Sequence, residues 1–513
     1  MQTSEPAPTT TEPSPAPTEP HGIAPTLSFS KFLRKNAAAV ALVSVVVLIP
    51  CFWLPRIEAG DLASHSYNSW LVSLVQKGDA PGLWIAPQTN NILADVLLLQ
   101  LGKLAGFPAA EKIVAAMAIL VFFWGAFSLA TLAGGRPAWH VVPLLAMFAY
   151  GWTFHMGFLN FYFSLGISFV ALAILWHAQP RRYPFVLLLL PLMWLAHPLG
   201  LLWFVASAAY LLAAKWLNPR LHWLLIGAAL AALLAVRAYL LRSYQVRGWQ
   251  GHFYDLNGTD QLILGTRYPF IAIVVLLAAA GCALLHVLQL RSKPSAVANY
   301  FPVALQLFLI GLLALPFLPD RIWLPQYVEP LSFICSRYTL AIAVLGCCAL
   351  AGMRPRLLFA VLTGGIAIAY FTLVYQDAAR TYAMEKQADT LVAKLPQNAR
   401  VLTTIFPFRD SRVFNHHVMD RACIGRCFNI SNYEPASTQF RLRAMPGNRL
   451  AAAKPEDTSH MMLGDYFVQA GDLPLWQVFQ CGPTAVDLCL RPVHAGSLLN
   501  FVPTEAERAR KLN

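Results

Sequence analysis

The chain has 513 residues, 57% of them hydrophobic and only 12% charged, where a soluble domain carries roughly 25% charged residues. That leaves too little polar surface to face water, and the apolar residues come in blocks of about 20, the length of a bilayer-spanning helix. The net charge of +13 does not indicate a nucleic-acid binder, because the basic residues sit singly at block ends rather than in one stripe.

Residues 1–30 are rich in Pro, Thr, Ser and Glu and read as a disordered cytoplasmic tail. Lys31, Arg34 and Lys35 then precede the first apolar block at 36–54. A basic cluster there keeps the N-terminus in the cytoplasm and makes the block an uncleaved anchor. Further blocks follow at 110–133, 138–154, 158–177, 184–196, 199–215, 221–241, 268–290, 300–318, 335–353 and 357–375. They lack the alternation of a β-barrel. The expectation is a polytopic α-helical membrane protein of about 11 spans over residues 31–375, with an external loop at 55–109.

Counted from an inside start, Arg136, Arg181, Arg182, Lys215, Arg220, Arg291, Lys293, Arg354 and Arg356 all fall on the cytoplasmic side, as the positive-inside rule requires. A further apolar stretch at 90–105 is read as an interfacial helix on the outer side, since another span would reverse every later loop.

From residue 376 the composition changes. Residues 377–395 read as an amphipathic helix and 400–405 (RVLTTI) as a strand, so a small C-terminal α/β or α+β domain is expected at 376–513. An odd number of spans places it outside the cytoplasm, on a multi-pass protein of the plasma (inner) membrane. Cys51, Cys282, Cys335, Cys347 and Cys348 lie in apolar blocks and read as small core residues. Cys423, Cys427, Cys481 and Cys489 are an even set in an oxidising compartment, and two disulfides of open pairing are expected.

The same orientation gathers the remaining polar residues on the outer side. They are Glu58, Asp61, His65 and Asp79, then His155, Asn160 and His197, then Arg242, Arg247, His252 and Asp255, and finally Asp320, Arg321, Glu329 and Arg337. The segment RIEAGDLASHSYNSW, beginning at Arg56, is the most suggestive. Asp61 and His65 are four apart and share one face of a helix. Asp61 suits both a helix N-terminus and the role of a general base toward an acceptor hydroxyl. Arg337, at the outer end of a span, is the best-placed phosphate ligand, with Arg321, Arg242 and Arg247 behind it. Snorkelling to the headgroups is the competing role for each. His155, Asn160 and His197 lie at turns and serve either substrate contact or helix-end hydrogen bonding. His417, Asp420, Cys423 and Cys427 are dense in ligand atoms but match no zinc spacing.

These residues in this order resemble the GT-C superfamily, membrane glycosyltransferases that use polyprenyl-phosphate-linked sugars. The likeness is architectural: a first span, then an external loop with an acidic residue near its start, here Asp61 in GDLASHSYNSW. The hairpins HMGFLNFYFSLG and LAHPLGLLW and the step Ser336-Arg337-Tyr338 resemble features of the bacterial members. The resemblance implies a GT-C-like bundle and hexosyl or pentosyl transfer on the extracytoplasmic face. The partners would be membrane lipid, the polyprenyl-phosphate sugar and a glycan, lipid or protein acceptor of the cell envelope, with no nucleic acid. Asp61 would be catalytic, with His65, Arg337, Arg321, Arg242, Arg247, His155, Asn160 and His197 binding substrate. Leu62 follows Asp61 where many members have a second acidic residue, so a divalent metal (Mg or Mn) stays open as a cofactor. The alternatives are a transporter or flippase, which the absence of an internal repeat disfavours, an O-antigen ligase-like enzyme, and a non-catalytic membrane protein.

Overall fold

The structure, a computed structural model, describes residues 29–176, 180–248, 251, 257–291, 302–354, 356–452, 454–482, 484 and 486–497. Nearly all of the expected tail, together with His252, Asp255 and Lys293, lies outside the described residues.

In chain order the first fourteen helices are α1 (Phe29–Phe52), α2 (Gly60–Lys77), α3 (Leu93–Ala105), α4 (Phe107–Ala133), α5 (Val142–Ala149), α6 (Trp152–His155), α7 (Leu159–Trp176), α8 (Tyr183–Ala196), α9 (Pro198–Trp216), α10 (His222–Ser243), α11 (Pro269–Arg291), α12 (Val303–Ala314), α13 (Ile334–Ala351) and α14 (Arg356–Val392). Among the described residues eight are long and apolar enough to cross a membrane: α1, α4, α7, α9, α10, α11, α13 and α14. The fold is that of a polytopic helical membrane protein. The other three expected spans are shorter. α8 and α12 are brief apolar helices, and the segment 138–154 is divided into a 3-10 turn, α5 and α6, with extended Gly151 between the last two.

The closest helix pair is α4 against α7. A Cβ added at Gly125 would lie 2.7 Å from the Gly166 carbonyl oxygen, and one at Gly166 would lie 2.9 Å from Phe122 Cα. Small residues let the backbones approach where lipid provides no hydrophobic drive between helices. The gap is filled by Phe122 stacked on Tyr162 at 4.5 Å.

α14 runs unbroken for 37 residues, about 55 Å at 1.5 Å per residue. The last expected span and the expected amphipathic helix are therefore one rod, and the change of composition at 376 falls inside it. Tyr268 donates to Asp377 Oδ2 at 2.6 Å, so the first carboxylate past the apolar stretch is held against the bundle and the helix does not stop there.

Strands are β1 (Leu83–Ile85), β2 (Gln245–Gly248), β3 (Pro319–Trp323), β4 (Ala399–Thr404), β5 (Cys427–Asn429), β6 (Leu442–Ala444), β7 (Leu475–Gln480) and β8 (Leu488–Val493). The C-terminal region adds α15 (Val418–Cys423), α16 (Glu434–Ser437) and α17 (Pro455–Leu463). Its sheet has the order β5-β4-β7-β8, with β4 parallel to both neighbours and β8 antiparallel to β7. The expected strand at 400–405 is β4. Disulfides join Cys423 to Cys427 and Cys481 to Cys489.

This region does not stand apart from the bundle. Tyr67, Leu71 and Val72 of α2 lie in the same core as Val401, Val418 and Val478, and β1 pairs antiparallel with β6. Arg421 of α15 is buried between Glu111 of α4 and Glu385 of α14, and donates to the Ile57 carbonyl at 3.3 Å. Loops at this end of the bundle join the region too: Arg412 N donates to Leu264 O at 2.8 Å and Thr266 N to Asp410 O at 2.9 Å. At the far end, Arg136 donates to Gly352 O at 2.7 Å.

Candidate functional site

The site lies where the first turn of α2 meets the α6–α7 turn, α13 and the C-terminal region. Asp61 is in the first turn of α2, but the N-cap residue is Ala59 and makes no side-chain cap. Asp61 N donates instead to the Met156 carbonyl at 3.0 Å. Gly157, at φ 82°, makes that contact fit, since a Cβ there would lie 2.5 Å from Asp61 N. The carboxylate therefore does not cap the helix, and its Oδ1 lies 3.7 Å from His417 Nε2. Its side chain keeps 15% exposure. Burial raises its carboxyl above the usual range, opposed by the nearby charges of His417, His65 and Arg337.

His65, one turn on, shares the helix face with Asp61 as the spacing predicts. Its Nδ1 lies 2.7 Å from Asp95 Oδ1. Burial alone would lower the imidazole, but Asp95 and then Glu434 outweigh it and raise it to about 10. Asp95 moves the opposite way: burial would raise it, and the His65 charge and hydrogen bond hold it below the usual carboxylate range. The pair is therefore ionised. Asn160 closes it, donating to Asp95 Oδ2 at 2.9 Å and accepting from Ala94 N at 2.7 Å. Glu434, which burial pushes up to about 7, accepts from Ser64 Oγ at 2.7 Å.

Arg337 sits in the first turn of α13. Gln261 fixes that turn by donating to Ser336 O at 2.7 Å and to Thr339 Oγ1 at 2.8 Å. The guanidinium lies over the Phe158 ring at 4.1 Å, and its buried Nε has no hydrogen-bond partner. His197 Nε2 is 3.5 Å from Arg337 Nη1. His197 Nδ1 accepts the Leu199 N–H at 3.1 Å, capping α9. An imidazole whose Nδ1 accepts carries its proton on Nε2 when neutral. Two N–H donors therefore face one small space, an arrangement suited to an oxyanion.

The C-terminal region closes the opposite side. His417 Nδ1 is 2.7 Å from Asp420 Oδ2, and His417 Nε2 is 3.7 Å from Asp61 Oδ1. Tyr433 packs on the His417 ring at 5.7 Å. Beside α2, a small cleft of about 20 Å³ is lined by Asn68, Asp95, Glu434, Phe440 and Arg441.

Asp61, His65, Asn160, His197 and Arg337 are thus brought together. His155 supports them from below: its Nδ1 is 3.0 Å from the Glu58 carbonyl and its Nε2 is buried without a partner. Arg242, Arg247 and Arg321 lie elsewhere. Arg242 ends α10, and Arg247 and Arg321 are directly opposed across the β2–β3 ribbon. Arg247 and Arg321 share with Arg337 the carboxylate of Asp320, which accepts from Cys335 N at 3.3 Å.

The four-ligand zinc set does not form, because Cys423 and Cys427 are bonded to each other and His417 binds Asp420. Among the described residues no group of three or more His, Cys, Asp or Glu side chains could hold a metal. The cationic neighbours of Asp61 also oppose a divalent ion, so Mg or Mn does not fit these residues. Asp95, Tyr433 and Glu434 were not among the expected site residues. Compared with known protein families, curated proteins and solved structures, the chain shows no significant match.

Proposed function

We propose that the protein is a membrane glycosyltransferase that moves a sugar from a polyprenyl-phosphate donor to an acceptor on the extracytoplasmic face. The observation that carries this reading is the pair of converging donors, Arg337 and the Nε2–H of His197, beside the half-buried carboxylate of Asp61. A lipid phosphate must leave its charge at the end of the bundle while its tail stays in lipid, and a guanidinium plus an N–H donor suit it.

In this reading Asp61 takes the proton of the acceptor hydroxyl as its oxygen attacks the anomeric carbon. The bond from that carbon to the phosphate oxygen breaks, and the electron pair leaves on polyprenyl phosphate, held by Arg337 and His197. Attack opposite the leaving group inverts the sugar. Asn68, Asp95 and Glu434, which line the small cleft along α2, are the groups that would meet the acceptor's hydroxyls. The two disulfides support an oxidising, extracytoplasmic setting for the C-terminal region, and the basic residues at the far end of the bundle support a cytoplasmic side there.

The test is release of polyprenyl phosphate by purified full-length protein in lipid nanodiscs. The probes are polyprenyl-phosphate mannose, glucose and arabinose, with an envelope glycolipid extract as acceptor. Wild type should release product from at least one donor, and Asp61→Asn should lose about 10²- to 10⁴-fold in rate. Full activity in Asp61→Asn, or no release from any donor, overturns the reading.

A further inference from the structure

We propose that Asp420 and His417, supplied by the C-terminal region, form a positioning dyad that keeps Asp61 a carboxylate and aims it into the site. The role given to Asp61 rests on the function proposed above; the charge coupling does not.

The geometry is built in three steps. Asp420 is almost fully enclosed, with 1% side-chain exposure, and both its oxygens are used: Oδ2 toward His417 Nδ1 at 2.7 Å and Oδ1 toward Asn429 Nδ2 at 2.6 Å. Asn429 is keyed to α2, since its N–H donates to the Tyr67 hydroxyl at 2.9 Å. The dyad is thus referenced to the helix that carries Asp61. His417 Nε2 is buried, has no hydrogen-bond partner, and lies 3.7 Å from Asp61 Oδ1. An orphaned imidazole nitrogen in a closed site costs free energy unless it does something there.

The charged groups that face His417 and Asp61 pull in both directions. His417 is faced by Asp420, Asp61 and Glu434, and burial alone would lower it, but the Asp420 hydrogen bond and charge raise it above the ordinary value. Its neighbour His416, whose ring is tilted against it at 4.1 Å, is pushed the other way by burial and stays neutral. Of the two rings, the one whose protonated form is favoured is therefore the one next to Asp61. Asp61 also feels His65 and Arg337, which favour its carboxylate, and Asp420, which opposes it; His65 is already matched by Asp95, and in the proposed reading Arg337 binds phosphate. Without His417 the first of the charges opposing burial is lost, and the Asp61 carboxyl shifts further toward its protonated form.

The test uses full-length protein in nanodiscs with ¹⁵N-labelled histidine, the His417 resonance being assigned by its loss in His417→Gln. The titration midpoint of His417 should fall in Asp61→Asn, a variant that leaves the dyad itself intact. An unchanged midpoint overturns the proposal. Infrared spectra at pH 7 give the reverse view: His417→Gln should gain a protonated-carboxyl band that the double variant His417→Gln/Asp61→Asn lacks. Absence of that band also overturns it. Neither readout involves sugar transfer. Coupling present with Asp61→Asn still fully active would sink the transferase reading and leave the dyad; coupling absent with Asp61→Asn inactive would do the opposite.

Discussion

Two charged regions lie at the same end of the bundle, and they handle charge in opposite ways. In the seam between α2 and the C-terminal region, each cation meets a carboxylate: His65 with Asp95, His417 with Asp420 and Asp61, Arg421 with Glu111 and Glu385. On the β2–β3 ribbon, Arg247 and Arg321 stand directly opposite each other, a like-charge pairing that weakens a ribbon rather than holding it. Arg247 is exposed, so water screens it. Charge in the seam is structural because it is enclosed, and catalytic in the reading proposed above; charge on the ribbon is a surface property.

The largest break of this comparison should come from Arg421→Met. It strands Glu111 and Glu385, whose side chains keep only 4% and 5% exposure. Leaving partners of a buried ion pair uncompensated costs about 3–5 kcal/mol. Thermal unfolding in detergent should show a large fall in midpoint; a midpoint within a degree of wild type would mean that the cluster does not clamp the two regions.

The next effect is on pH dependence. His65 is raised to about 10 and Glu58, by burial, to about 8. Between pH 7 and 10 the folded protein then holds protons that the unfolded chain has released. For His65 the stabilisation is full below its unfolded value near 6.5 and is lost as pH rises through about 10. Protonated Glu58 acts with the same sign up to about pH 8. Stability should therefore fall from pH 7 to pH 10, and His65→Gln should flatten that slope. A melting temperature that rises over this range would contradict the ion-paired assignment of His65.

The smallest effect belongs to the ribbon. Arg247→Gln should move stability by less than about 0.5 kcal/mol and leave donor turnover within twofold. A loss comparable to that of Asp61→Asn would merge the two regions functionally and restore the ribbon arginines as ligands.

Part of this was legible in the residues. The long apolar blocks fix helices because lipid offers backbone groups no other partner, and the four-residue spacing places Asp61 and His65 on one face because helical geometry is local. The strand at β4 followed from its β-branched run. What was not legible is everything that depends on distant partners. Nothing near Glu434 announces that it lies against Ser64, 370 residues away, and Asp95 looked like one polar residue in an apolar stretch until His65 and Asn160 closed on it. His417 and Asp420 stood in sequence only as a ligand-dense stretch that matches no zinc spacing, and which cysteines pair was left open until the fold joined Cys423 to Cys427. In sequence Arg337 stood ahead of Arg321, Arg242 and Arg247 only by its place at the outer end of a span. Tertiary packing alone enclosed Arg337 between Phe158 and His197 and left Arg247 on an exposed ribbon.

Sequence by itself therefore determined the helices, the two unlike ends of the chain and the candidate base, all set by local periodicity and composition. Tertiary structure decided which charges are enclosed. Burial multiplies the strength of an electrostatic contact, and only the fold sets which side chains are buried beside which.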